Sequence, residues 1–259
     1  MLRKTISGLC FILLSASVHS AIIPLKNTIY LSSKNLQNTL LEVYSSQGCS
    51  SCPPAQNWIN DFESDPDLWR KVVPVVFHVD YWDDLGWNDP FASKAFSRRQ
   101  QEYSRNGNVN TVYTPGFVVE GREWTGWFNG KSLPQNAPRH IGQLDVSVHN
   151  NKLEFTYWVD TNDTEKSHLT PLTYNVALLG LGMKTQVRSG ENAGKKLTES
   201  FVVLQHQQGK YIDGQSLNIT LHNNHDQAKR FAIAAWVTDG SLTPLQVVGG
   251  KLPLSFKLN

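Results

Sequence analysis

Cysteine is scarce in this sequence, which has three among its 259 residues. Cys10 lies in an N-terminal apolar segment, so a mature chain without that segment keeps only Cys49 and Cys52. A bond between residues three apart closes too short a loop to stabilise a fold of this size. A chain of this length also buries a sizeable core without cross-links. We therefore interpret the pair as chemically active rather than structural.

A long N-terminal apolar run is also missing. Residues 6–16 are apolar but too few to cross a bilayer as a helix, and Arg3 and Lys4 precede them. This profile is typical of a signal peptide of residues 1–20, with cleavage before Ala21. The sequence thus predicts a periplasmic or secreted protein that does not contact the membrane after cleavage. A retained N-terminal anchor is the alternative.

An excess of charge of either sign is absent as well. The chain has 24 basic and 22 acidic residues, and loss of Arg3 and Lys4 with the signal peptide makes the two numbers equal. A neutral chain without clusters of Lys or Arg lacks the electrostatic attraction that nucleic acids and anionic membranes require. We therefore expect neither as a partner.

The segment that contains the cysteine pair is typical of a strand, a tight turn and a helix. Residues 39–46 read TLLEVYSS, a β-branched and aromatic run, and QGCSSCPPAQNWINDFES follows directly. Residues 72–82, VVPVVFHVDYW, are almost continuously apolar, as in a strand with both faces covered. Together these runs predict a βαβ unit, with a further helix over 90–105 and a strand over 117–120.

The second half of the chain has a different pattern. From about His140 it consists of short alternating runs such as LDVSVHNNKLEFTYWV, with turn residues between them and no helical period. We predict a small antiparallel β-sandwich domain over residues 139–259, after an α/β domain over residues 21–138. Residues 131–138, which contain two prolines, are the expected linker.

The spacing of the cysteines predicts thiol chemistry. Two cysteines at i and i+3 in the first turn of a helix bring their sulfur atoms within bonding reach, where free amides and the helix dipole stabilise a thiolate. We predict Cys49 as the more exposed, attacking sulfur and Cys52 as the resolving one. Ser50 and Ser51 are expected to hydrogen-bond the Cys49 thiolate. Glu42, in the preceding strand, is a candidate proton acceptor for Cys52, or else a paired or exposed carboxylate.

A loop rich in aromatic and acidic residues follows the second predicted strand. Trp82 and Asp83 are its candidate substrate-binding residues, because a parallel sheet normally presents its ligand side at the ends of its strands. The alternative is structural. In that case the tryptophans cover the sheet edge and the aspartates cap the helix that begins near Pro90.

Two other functions remain open at this point. The pair could be a static disulfide in an exported binding module. It could also belong to a periplasmic carrier of a metal such as copper, with both thiolates and His78 as ligands. The sequence has no second CxxC and no HxxxH pattern, so we predict neither a metal site nor a cofactor.

Three blocks around the pair, SSQGCSSCPPA, FHVDYWDDLGWNDPFASKAFSRRQ and VYTPGFVVEG, resemble a family of exported bacterial proteins called domain of unknown function 1223. RSGENAGKKL, at residues 188–197, is similar to the same family, so the resemblance covers most of the mature chain. Members are classed as thioredoxin-like. The resemblance therefore implies a thioredoxin-like first domain, Cys49 and Cys52 at its redox positions, and a cis-proline turn at Thr114 and Pro115 beside the disulfide.

The resemblance implies a fold and a site but no substrate. Together with the cysteine spacing and the signal peptide, it leads us to predict an exported thiol-disulfide oxidoreductase that exchanges disulfides with protein or small thiols. Backbone beside the proline turn would pair with a bound substrate strand and hold the substrate sulfur in line with Cys49. The sequence departs from the best-known thioredoxins in having Ser50 and Ser51 between the cysteines and no aromatic residue directly before the first. The direction of the reaction is therefore left open.

Overall fold

A computed structural model describes residues 28–34, 36–134, 139–159, 171–222, 225 and 228–256. The predicted signal peptide, its cleavage site and Cys10 lie outside the described residues, as does the second half of the predicted linker. Within the described ranges, no helix is both long enough and apolar enough to cross a membrane.

The N-terminal half contains both α-helices of the described chain. Its elements are β1 (Ile29–Ser32), β2 (Thr39–Ser45), α1 (Cys52–Asp61), β3 (Val72–His78), α2 (Lys94–Arg105), β4 (Gly116–Val119) and β5 (Arg122–Glu123). Pro53 and Pro54 fit the start of α1 because the backbone amides in the first turn of a helix donate no hydrogen bond within the helix. The Ser93 hydroxyl caps α2 by accepting a hydrogen bond from the Ala95 amide at 3.2 Å. The predicted strands and helices of this half are confirmed, with bounds that differ by a few residues.

The C-terminal half consists of strands. They are β6 (Gly142–His149), β7 (Lys152–Val159), β8 (Leu172–Gly180), β9 (Met183–Gln186), β10 (Lys196–Glu199), β11 (Val202–Tyr211), β12 (Leu217–Thr220), β13 (Phe231–Thr238) and β14 (Pro244–Lys251). Strands β6 and β7 show the predicted alternation of burial, which indicates one covered face.

The strands form three sheets. The largest has eight strands in the order β14-β13-β8-β11-β3-β2-β4-β5. In it β3 runs parallel to both β2 and β11, whereas the other neighbours are antiparallel. A four-stranded sheet has the order β1-β6-β7-β12, and β9 pairs with β10 alone.

Side chains that alternate along β8 separate two hydrophobic cores. Ala177 and Leu179 belong to the core that contains β2, β3 and the buried faces of the helices. Val176 and Leu178 point the other way, into the core shared with the four-stranded sheet. At β8, one face of the eight-stranded sheet therefore packs against the core that contains the helices, and the opposite face packs against the four-stranded sheet.

The predicted fold, a thioredoxin-like α/β domain followed by a small antiparallel β-sandwich, is wrong. The described chain is mostly strand, and β8, β11, β13 and β14 belong to the same eight-stranded sheet as β2 and β3. The reason is burial on both faces, since β13 is buried from its second residue onward. Such strands extend a central sheet instead of forming a separate sandwich. The domain bounds at residue 138 stay a prediction.

Candidate functional site

Cys49 and Cys52 form a disulfide between the turn after β2 and the first residue of α1. Their Cα atoms are 5.5 Å apart, and the Cys52 amide donates a hydrogen bond to the Cys49 carbonyl at 3.2 Å. Cys49 is 0% exposed and Cys52 is 2% exposed. The expectation that Cys49 is the more exposed cysteine is therefore wrong, and the exposed residues of the motif are the two serines between the cysteines.

Few free amides remain at the start of α1. Pro53 and Pro54 remove two of the N–H groups that a helix N-terminus normally offers. The Ser50 amide donates to Glu191 Oε2 at 3.0 Å, and hydrogen bonds from Ser50 hold the pKa of that carboxyl below its usual value. Ser50 was predicted to stabilise the Cys49 thiolate, but its amide is bonded to Glu191 instead.

The second serine lies beside the sulfur. Ser51 Oγ is 3.3 Å from Cys49 Sγ, within the range of a hydrogen bond to sulfur. A hydroxyl at this distance can donate to a thiolate and stabilise the reduced form of the pair. Ser51 is exposed, so the same hydroxyl is also reachable from solvent.

The loop between β9 and β10, residues 187–195, is hydrogen-bonded to the cysteine motif. Asn192 is fully buried, and its Nδ2 donates to the carbonyls of Gln47 and Cys49 at 2.8 and 2.9 Å. Its Oδ1 accepts from Lys195 Nζ at 2.7 Å. Because the β9–β10 loop also provides Glu191, the C-terminal half of the chain fixes the backbone on both sides of Cys49.

Replacing Asn192 by Ala is expected to lower the free energy of unfolding by about 1–3 kcal/mol, because it removes two buried hydrogen bonds; the Cys49 carbonyl keeps the Cys52 amide, whereas the Gln47 carbonyl loses its donor. Urea denaturation measures this change, and hydrogen exchange should become faster at the amides of residues 47–52. Asn110→Ala is the matched control, since Asn110 is an exposed asparagine whose loss should cost less than about 0.5 kcal/mol. Equal effects of the two changes would show that Asn192 does not hold the motif.

The turn before β4 lies against the disulfide. The Thr114–Pro115 peptide bond is cis, and Cys49 Sγ is 3.7 Å from the Thr114 carbonyl oxygen. Trp82 Nε1 donates to Thr114 Oγ1 at 2.8 Å. A Cβ atom at Gly48 would lie 3.0 Å from the Trp82 Cβ, so the close approach of the motif to the tryptophan favours glycine. The structure thus brings Cys49, Thr114, Pro115 and Trp82 together.

Asp83 has a different environment from its neighbour Trp82. Its Oδ1 accepts a hydrogen bond from the Asp89 amide at 3.1 Å, which closes the acidic loop on itself. Burial raises the pKa of the Asp83 carboxyl, and the charges of Asp89, Asp80 and Asp84 add to this effect. Among the described residues, the hydrogen bonds of Asp83 are made to Asp80 and Asp89 of the same loop. Its substrate-binding role stays a prediction, and the observed contact is structural.

Glu42 is held in a buried ion pair. Its two oxygens accept hydrogen bonds from Arg99 Nε and Nη2, both at 2.9 Å, from Tyr44 Oη at 2.9 Å and from Tyr103 Oη at 2.6 Å. The negative charge of Glu42 keeps the pKa of Arg99 well above its usual value in spite of burial. Within the described chain none of the hydrogen bonds of Glu42 reaches Cys52. Its role as a proton acceptor stays a prediction, while the ion pair accounts for its burial.

A second buried polar cluster contains His78, which the sequence offered only as a ligand of the metal-carrier alternative. His78, at the end of β3, is fully buried, and its Nδ1 lies 2.7 Å from Asp89 Oδ2. Its Nε2 lies 3.8 Å from Oε1 of Glu199, the last residue of β10. Gln47 joins this cluster to the motif, since its amide donates to Asp89 Oδ2 at 2.8 Å and its Nε2 to Glu199 Oε2 at 2.5 Å.

A cavity beside the cysteine pair is lined by one residue of this cluster, Glu199. It has a volume of about 300 Å³, and both Cys52 and Glu199 line it. Most of the remaining lining is polar and includes Ser45, Ser46 and Gln56. Among the described residues, no group of three or more His, Cys, Asp or Glu side chains is arranged to hold a metal ion.

Comparison with known proteins places the chain in a family. The family model described as "Protein of unknown function (DUF1223)" matches residues 40–238. The chain belongs to the DUF1223 family. The family drawn from the sequence blocks is thereby confirmed, while export stays a prediction. No curated protein matches this DUF1223 protein.

Two solved structures resemble this DUF1223 protein. An X-ray crystal structure of a protein from Agrobacterium tumefaciens is 22% identical, with a TM-score of 0.55 over 85% of this chain and 96% of that one. HBP35 of Porphyromonas gingivalis is 17% identical, with a TM-score of 0.54 over 84% of this chain and 76% of that one. At these identities the likeness concerns the fold alone.

Proposed function

We propose that this protein carries out thiol–disulfide exchange with protein or small-molecule thiols, outside the cytoplasm. The observation that carries the proposal is the position of the Cys49 sulfur. It lies 3.7 Å from the Thr114 carbonyl oxygen and 3.3 Å from Ser51 Oγ. A half-buried backbone carbonyl and a hydroxyl donor next to one sulfur are what a partner chain needs for alignment and what a thiolate needs for stabilisation.

The exchange proceeds in two displacements. In the reduced protein the Cys49 thiolate attacks a partner disulfide, which forms a mixed disulfide and releases one partner thiolate. Cys52, the first residue of α1, then attacks the Cys49 sulfur and releases the second partner thiolate. The reverse sequence oxidises a partner dithiol. Since both sulfurs are buried, a partner reaches the pair from the side of the exposed residues Ser50 and Ser51.

A structural disulfide in a binding module is the second candidate. The burial of both sulfur atoms favours it, because redox-active cysteines are normally partly exposed. The ionisable cluster beside Cys52 favours exchange instead. Buried groups with perturbed pKa values are frequent in reactive sites and are costly in a merely structural region.

The reduction potential of the pair distinguishes the two candidates. We expect equilibration with glutathione buffers, read by alkylation and mass spectrometry, to give a value between about −270 and −120 mV, the range of known exchange proteins. Within that range the value also indicates whether the protein oxidises or reduces its partners. A potential below about −300 mV would mark a structural disulfide and leave the binding module as the function.

A further inference from the structure

Three ionisable side chains are packed together beside the cysteine pair, and the displacement steps above do not use them. His78, Asp89 and Glu199 are each at most 3% exposed. Both ring nitrogens of His78 face a carboxylate, at 2.7 Å to Asp89 and 3.8 Å to Glu199. Burial of two carboxylates and an imidazole costs stability unless their interactions compensate for lost hydration. A cluster of this kind in a cavity wall suggests proton chemistry.

The two carboxylates differ in how well they are satisfied. Asp89 accepts hydrogen bonds from the amides of Gln47 and Phe91 at 2.8 and 2.9 Å in addition to His78. Glu199 accepts one hydrogen bond, from Gln47 Nε2 on Oε2. Its Oε1 is approached by His78 Nε2 alone, and that nitrogen has no hydrogen-bond partner among the described residues. Glu199 Oε1 therefore has free capacity to accept a proton.

The pKa values of His78 and Glu199 are both raised, which favours a proton on this pair. Burial acts to lower the pKa of His78, but Asp89 and Glu199 raise it to about 9, with a smaller contribution from Asp83. Burial, together with the charge of Asp89, raises the pKa of the Glu199 carboxyl above its usual value, although His78 opposes this. Lys195 and Lys196 line the same cavity and are its other charged groups.

Glu199 and Cys52 line the same cavity. This space of about 300 Å³ is large enough for several water molecules and offers polar partners to hold them. Glu42, by contrast, has both oxygens occupied by Arg99 and two tyrosines. Of the two buried glutamates near the pair, the one that shares a cavity with Cys52 comes from β10 of the C-terminal half.

We propose that Glu199, positioned by His78, accepts the proton of the Cys52 thiol when the mixed disulfide is resolved; this inference rests on the proposed function. The Cys52 thiol loses its proton through water in the cavity to Glu199, and the Cys52 sulfur attacks Cys49 Sγ. The Cys52–Cys49 bond forms, the bond between Cys49 and the partner breaks, and the partner leaves as a thiolate. The cysteine pair is oxidised by two electrons and the partner disulfide is reduced. In the reverse direction Glu199 returns the proton to Cys52.

The test is the rate at which a mixed disulfide on Cys49 is resolved in the full-length protein with Glu199→Gln. Glutamine keeps the size of the side chain and its acceptor for Gln47. We expect resolution at pH 7 to be slower by about 100-fold, the lower end of general-base effects. We also expect the rate in the variant to rise about tenfold per pH unit up to the pKa of the thiol, with a flatter profile in the wild type. Glu199→Asp should restore part of the rate.

Glu191→Gln is the matched control. It also removes a carboxylate near the motif, but one that is exposed and bonded to Ser50 instead of lining the Cys52 cavity. We expect this variant to change the Cys49 thiol pKa and to leave the rate of resolution within about twofold. Cysteine labelled with ¹³C at Cβ reports each thiol separately by NMR, and Cys52 should titrate in two steps in the wild type and in one step in Glu199→Gln.

The outcomes separate the inference from the proposed function. Formation of the mixed disulfide with resolution at the wild-type rate in Glu199→Gln would overturn the role of Glu199 and leave exchange intact. Absence of any mixed disulfide in the wild type would overturn the proposed function and this inference with it. Slow resolution at pH 7 that recovers at high pH, in a variant with an unchanged melting temperature, would establish the proton transfer.

Discussion

Replacing Cys49 by Ser should abolish thiol–disulfide exchange, with a loss of about a thousand-fold or more in rate. A serine hydroxyl does not form a bond to sulfur under these conditions, and the remaining Cys52, which is 2% exposed, has no second thiol with which to complete the exchange. The assay is the reduction of insulin disulfides with dithiothreitol as the electron donor. Ser51→Ala is the control for a small change at the neighbouring position, and it should reduce the rate by no more than about tenfold, as expected for one lost hydrogen bond.

Replacing the second cysteine gives a further measurement. Cys52→Ser retains the attacking sulfur and should accumulate a mixed disulfide on Cys49 that mass spectrometry detects. If Cys49→Ser retained the wild-type rate, the pair would be structural and exchange would have to occur elsewhere. If both variants fold stably and lose no exchange rate, the cysteine pair is structural, as the binding module requires.

The elements around the cysteine pair could be predicted from the sequence because their signals are local. A continuous β-branched run predicts β2, two prolines after the second cysteine predict the start of α1, and a second apolar run predicts β3. These patterns depend on residues a few positions apart. The cis bond at Pro115 and its contact with Cys49 followed from the resemblance and not from the pattern of residues.

The architecture of the C-terminal half could not be predicted in the same way. The run AIAAWV in β13 is apolar without alternation, which indicates a strand covered on both faces, but the alternating runs before it favoured a separate sandwich. Which sheet a strand joins depends on partners far along the chain, here β8. Sequence periodicity gives the faces of a strand but not its neighbours.

The site was incomplete at the sequence level for the same reason. Glu191, Asn192 and Glu199 contact the motif across more than 140 residues of chain. The block RSGENAGKKL, which contains the first two, was similar to the family, but nothing local connected it to the cysteines. Glu42 was a candidate because it is a carboxylate in the strand before the pair. Its partner Arg99 lies on α2, too far along the chain for a short motif to connect the two.

That ion pair carries the largest expected effect on stability. Replacing Arg99 by Met should lower the free energy of unfolding by about 3–5 kcal/mol, because it leaves the Glu42 carboxylate buried without its cation. The guanidinium also lies 5.5 Å from the ring centroids of Phe77 and Trp236, so the change removes contacts with side chains from both halves of the chain. Urea denaturation measures the loss. Arg98→Met is the matched control, since Arg98 is the exposed neighbour on α2 and should shift stability by less than about 0.5 kcal/mol.

The double variant Glu42→Gln with Arg99→Met separates the ion pair from the packing. Without the unpaired charge, it should recover part of the stability that Arg99→Met loses, because the penalty of the single change comes from the isolated carboxylate. A double variant less stable than the single one would show that Glu42 stabilises the fold through Tyr44 and Tyr103 even without Arg99. Because Glu42 lies in β2 directly before the turn that holds the cysteines, recovery of stability with unchanged exchange would also show that this carboxylate takes no part in the thiol chemistry.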